Sequence, residues 1–214
     1  MVCCFIVSPV FAQSTPGEFR SKETHGFGFG IEGSGYSAFY DHALNDVYQI
    51  HLFLSGNRYS SKSMFGNNFS STTSKLLTGS SIRIFPNESF GYFFGFGVGF
   101  AWASQSVNQN VYCYEEPLTY DNPSECAGRE GSEIHPQTNS SYSAISIWGT
   151  VGWQGYAGYY FTVGYLAGVD YVLSQENNTD HVIDRSNYKS TARKDWEYAT
   201  SGPTSLVIGF GWHL

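Results

Sequence analysis

The chain has 214 residues, enough for one domain with a full core, and carries 24 Gly, 17 Phe, 16 Tyr and 5 Trp but only 14% charged residues. An ordinary domain has about 25% charge and about 7% Gly, so this composition excludes coiled coils, helical bundles and disordered tails, which rely on charge and on Ala, Leu, Glu and Lys. The formal charge of −7 offers no basic stripe for nucleic acid, and no apolar run reaches the roughly 18 residues of a membrane-spanning helix. An all-β protein remains.

Residues 1–12 read as a secretory signal: Val2–Val7 is apolar, and Val10-Phe11-Ala12 presents a cleavage site before Gln13. Cys3 and Cys4 would leave with it. Residues 13–23 are expected to be a linker, and 24–214 the folded domain. Phe27, Phe29 and Ile31 alternate with Gly26, Gly28, Gly30 and Glu32. Residues 24–44 are taken as two strands broken near Gly33-Ser34-Gly35. After a tight turn at Asn45-Asp46, Val47–Tyr59 sets Tyr48, Ile50, Leu52 and Leu54 against Gln49, His51 and Ser55. Thr72–Phe85 carries Leu76, Ile82 and Ile84 against Lys75, Gly79, Ser81 and Arg83, and turns at 86–89.

The segment Phe90–Ala103 is the most informative. Tyr92, Phe94, Phe96, Val98, Phe100 and Trp102 alternate with Gly91, Gly95, Gly97, Gly99, Ala101 and Ala103, Phe93 being the exception. Successive strand residues point to opposite faces, so one face is aromatic and the other nearly bare. Tyr142–Trp153, Tyr159–Tyr171 and the C-terminal Leu206, Ile208, Phe210, Trp212 and Leu214 repeat the rule. A soluble sheet would have to expose a water-facing surface tiled with glycine, which supplies no solubilising group. With the sheet turned inside out, the rings meet lipid and Gly, Ser and Thr fill a narrow lumen. A sheet can span hydrocarbon only when closed, since every backbone group must be paired. The expected fold is an eight-stranded antiparallel transmembrane β-barrel of up-and-down topology. Turns near 45–46, 86–89 and 154–158 are short, while 60–71, 105–140 and 172–203 are long and polar, the asymmetry of periplasmic turns and external loops.

In the 105–140 loop, Cys113 and Cys126 form an even pair in an exported chain, which suggests a disulfide. A metal site is not expected there, because only His135 follows. Glu32, Asp41, His51, Lys75, Arg83 and Asp170 fall on the inner face by parity. An eight-stranded lumen is only wide enough for side chains, so these charges are expected to pair in one plug rather than line an open path.

Residues 24–214 resemble the small outer-membrane β-barrel proteins of Gram-negative bacteria, of the outer-membrane protein A or W type. The ending Gly209-Phe210-Gly211-Trp212-His213-Leu214 is similar to the C-terminal assembly signal of that class, with Gly209, Phe210, Trp212 and Leu214 in its positions. It departs from the pattern in ending with Leu rather than Phe, and in having Val207 where a polar residue is frequent. The resemblance implies an outer-membrane location, insertion by the barrel-assembly machinery, and outer-membrane lipid and lipopolysaccharide as surroundings.

Some barrels of this kind act on lipid A through a His and a Ser two positions apart. None of His25, His42, His51, His135, His181 or His213 has Ser two residues later, so no enzyme, and no cofactor, is expected. The glycines alternate along strands with no Lys-Ser/Thr after them, which is not a phosphate loop. The expected role is structural or surface interaction, with loops 105–140 and 172–203 available to an external ligand. The alternatives are a narrow channel for small or apolar solutes, and a soluble ligand-binding β-barrel.

Overall fold

The computed structural model describes residues 15–22, 24–33, 35–62, 69–87, 89–113, 131–156, 159–179, 182 and 188–213. The signal segment 1–12, Cys126 and Leu214 lie outside them. Eight strands form the barrel: β1 (His25–Glu32), β2 (Gly35–Ala43), β3 (Tyr48–Lys62), β4 (Phe69–Ile84), β5 (Tyr92–Gln109), β8 (Gln137–Tyr156), β9 (Tyr160–Glu176) and β10 (Thr204–His213). β6 (Val111–Tyr112) and β7 (Glu133–Ile134) make a separate two-stranded ribbon between β5 and β8. Among the described residues two helices accompany the strands, α1 (Pro16–Lys22) and α2 (Tyr188–Ala199).

Each barrel strand pairs antiparallel with its neighbour in the chain, and β1 closes the ring against β10 with Gly28 opposite Gly211 and Gly30 opposite Gly209. The even count depends on the break at Gly33. Its φ of +64° is the left-handed turn conformation that glycine adopts without steric penalty, and it divides 24–44 into β1 and β2.

The wall is uneven in height. β3, β4, β5, β8 and β9 have 15, 16, 18, 20 and 17 residues, whereas β1, β2 and β10 have 8, 9 and 10. The tall strands run on beyond the apolar belt, so the loops expected at 60–71, 105–140 and 172–203 are shorter than the polar composition suggests. Polar residues such as Ser60–Lys62 and 70–73 continue the ladder because pairing, not hydrophobicity, sustains a strand above the membrane.

Burial follows the expected parity, with a correction to what fills the hollow. Tyr92, Phe94, Phe96, Val98, Phe100 and Trp102 are all exposed on the outer wall. The interior is not floored with small residues alone. Trp148, Tyr160, Phe39, Phe53, Leu77 and Leu166 point inward and are buried. The glycines opposite make room for them: a Cβ on Gly97 would overlap the Trp148 indole, and one on Gly211 the Tyr160 ring. Bare inner positions are thus the sockets of large rings reaching across from other strands.

Candidate functional site

Four of the six inward charges meet in one cluster. Glu32 ends β1, Asp41 lies in β2, His51 in β3 and Arg83 in β4, so alternation along four adjacent strands aims all four side chains at the same point. His51 Nε2 stands 2.8 Å from Glu32 Oε2, and Nδ1 stands 2.7 Å from Asp41 Oδ1. An ionised carboxylate only accepts hydrogen bonds, so with both acids ionised the ring donates from both nitrogens and carries a positive charge. Arg83 approaches the same two acids at 3.8 Å (Glu32) and 3.7 Å (Asp41). Two anions and two cations then sum to zero, which is what a dry interior requires. Arg83 also lies over the Phe93 ring, 4.8 Å from its centroid. All four side chains are buried, with none more than 3% exposed.

Lys75 and Asp170 do not join this cluster, which corrects the single plug expected from the sequence. Leu77 and Gly79 separate Lys75 from Ser81, the register partner of His51. Lys75 donates to the Ser201 carbonyl at 2.6 Å, while Asp170 accepts from Tyr142 Oη at 2.8 Å and Ser146 Oγ at 2.5 Å. Parity assigns a residue to a face but not to a height. Between the two polar levels lies the apolar layer of Phe53, Leu77, Trp148 and Leu166.

Both mouths are covered, by elements the sequence did not announce. α1 occupies the stretch expected to be a linker. Thr15 and Glu18 cap it reciprocally, Glu18 N donating to Thr15 Oγ1 at 3.3 Å and Thr15 N to Glu18 Oε2 at 3.0 Å. It delivers Arg20, fully buried, to the Asp46 carbonyl at 2.9 and 2.7 Å and onto the Phe85 ring at 3.8 Å. Phe19 packs between Tyr156 and His213, with ring centroids 4.7 and 4.8 Å away. The signal for this helix was Thr-x-x-Glu in 15–18.

At the other mouth α2 packs against the upper parts of the tall strands β3, β4 and β5. It buries Ala192, Trp196 and Ala199. Gln105 Nε2 donates to the Ala192 carbonyl at 2.9 Å, Ser61 Oγ to Asp195 Oδ2 at 3.0 Å, and Tyr59 Oη to the Asp195 carbonyl. Burial pushes the Asp195 carboxyl above the ordinary aspartate range, against the downward pull of its hydroxyl donors.

Of the remaining expected residues, Gly209 is buried on the inner face, Phe210 and Trp212 stand outward, and Leu214 lies outside the described residues. Cys113 is buried beside Val111 and Ile134 and is disulfide-bonded.

A closed antiparallel ring with its aromatic residues outside and its charges neutralised inside is a transmembrane β-barrel of the small, eight-stranded class. Among solved structures the chain is similar to the crystal structure of Acinetobacter baumannii CarO, at 12% identity and a TM-score of 0.46, over 90% of this chain and 98% of that one. It is likewise similar to Acinetobacter baumannii CarO2, at 13% identity and a TM-score of 0.42, over 89% of this chain and 98% of that one. No protein-family model matches the chain, and no curated protein matches it in sequence.

Proposed function

We propose that this chain is an integral protein of the bacterial outer membrane whose packed barrel serves as a rigid anchor for surface structure, and not as a diffusion channel. One observation carries the reading. At the level of His51 the side chains of Glu32, Asp41, His51 and Arg83 are buried and in contact across the interior, and α1 and α2 stand over the two mouths. Opening a path would mean dismantling a buried charge cluster and undocking both helices, which no small solute would drive.

What is presented outward is the rim of tall strands, the β6–β7 ribbon and α2. The ribbon is strengthened if Cys113 pairs with Cys126, a closure of the intervening loop contributing roughly 3 kcal/mol; peptide mapping without reductant identifies the partner. The strand ending in Phe210 and Trp212 is the segment the assembly machinery would read.

The test is fractionation of the full chain in a Gram-negative host. The protein is expected in the outer-membrane fraction after alkaline washing, with a heat-modifiable band in gels. Recovery as a folded species in buffer without detergent would refute the membrane assignment.

A further inference from the structure

We propose that the outer wall of β3–β5 carries a furrow for a phosphorylated acyl lipid of the outer leaflet, with Arg58 taking the phosphate and one acyl chain lying along β4. The inference rests on the membrane reading above and names a specific partner for that wall.

Bulk is missing along β4. Of its outward residues from 74 to 80, Ser74, Thr78 and Ser80 are small and Leu76 alone is bulky, while Leu52 and Leu54 of β3 and Val98 and Phe100 of β5 rise beside them. Two adjoining grooves of about 670 and 780 Å³ result. The lower one is floored by Thr78 and Ser80. Thr78 Oγ1 donates to the Phe53 carbonyl at 3.1 Å, so that hydroxyl asks nothing of an occupant, and the apolar flanks of Leu52, Leu54, Val98 and Phe100 suit a hydrocarbon chain.

The upper groove changes character. Arg58, Ser74, Ser104 and Ser141 are register partners across four strands and form one polar row. On β3 this row comes directly after the outward run Tyr48, Ile50, Leu52, Leu54 and Gly56, about the 9–11 residues a tilted strand needs to cross. The row therefore lies at the depth of lipid headgroups, with Tyr36 and Trp102 at its margin as interfacial aromatics. Arg58 is exposed, and among the described residues it makes no ion pair. Its planar fork of donors matches a phosphate, and the three hydroxyls beside it can donate to phosphate or sugar oxygens.

Charge decides between a lipid and a second copy of the chain. Among the described residues no acidic side chain lines either groove, so a copy docked face to face would set Arg58 against Arg58 with none of these to neutralise either. An anionic lipid supplies the missing charge and the missing bulk together.

The test is native mass spectrometry of the full chain refolded in detergent, with lipid A as probe and dephosphorylated lipid A as its control. Wild type is expected to retain lipid A in preference to the control. Arg58→Gln should lose that preference, its affinity for lipid A falling on the order of tenfold, the worth of one or two charge-assisted hydrogen bonds. Thr78→Trp fills the furrow and should weaken both lipids, while Val163→Trp, of equal bulk on β9, should weaken neither. Equal retention by wild type and Arg58→Gln overturns the proposal, and so does a dimer in sedimentation that either β3–β4 variant dissociates. Should Thr78→Trp fail to refold, Arg58→Gln alone decides, because its side chain packs outside the barrel. A chain that inserts without lipid preference defeats the furrow only; a chain that folds without detergent defeats the membrane reading itself.

Discussion

Trp148 and Gly97 are register partners across β5 and β8, and the indole occupies the space that a Cβ on Gly97 would need. The bare inner face of β5 is thus a socket. Trp148→Ala should lose roughly 3–5 kcal/mol, the usual result of emptying a large aromatic site, read from urea unfolding in detergent micelles. Gly97→Leu should prevent refolding on its own, and combining it with Trp148→Ala should restore part of the loss. Additive effects would show that the two sites are independent.

The charge cluster makes a second prediction. Removing Arg83 leaves Glu32 and Asp41 sharing His51 alone, so Arg83→Met should destabilise by roughly 3–5 kcal/mol. Adding Glu32→Gln takes away the surplus anion. The double variant should therefore be more stable than Arg83→Met, a reversal that simple loss of packing would not produce.

Orientation of the wall is tested from outside. Phe96 is 69% exposed on the outer face, and Phe96→Arg should cost about 2–4 kcal/mol near mid-membrane. Ser104→Arg, in the polar row at the rim, should cost about 0–1 kcal/mol. Comparable penalties at the two positions would contradict the assigned depth.

Docking of α2 should depend on pH through Asp195. Its carboxyl titrates above the ordinary aspartate value of about 3.9 when α2 is docked. Protonation is therefore favoured by docking, and this contribution is fully present below the ordinary value and lost as pH rises through the docked one. Hydrogen exchange within 188–199 should quicken across that window, and Asp195→Asn should flatten the dependence. Slower exchange at higher pH, after correction for intrinsic rates, would contradict it.

Much of this fold was legible because lipid imposes a rule with period two. Along Phe90–Ala103 every outward residue is bulky and most inward ones are tiny, so face, closure and strand count followed from alternation. Height along the strand did not. Lys75 and Asp170 share a face with His51 but sit above a layer of Leu77, Trp148 and Leu166, and their level depends on register, which parity leaves open. Trp148 was itself hidden by the same rule, since one large inward residue looks like an exception until the glycine beneath it is located on the neighbouring strand. The caps were harder still. α2 has the sequence YKSTARKDWEYA, polar on average with one buried Trp, and α1 is short enough that only its capping pair marks it. Both helices owe their stability to the barrel beneath them rather than to their own periodicity.

Single-channel recording of the purified full chain in planar bilayers addresses the central claim most directly. A barrel filled at His51 and covered by both helices should give no stable unit conductance at moderate voltage. Regular, long-lived openings of uniform size would contradict it.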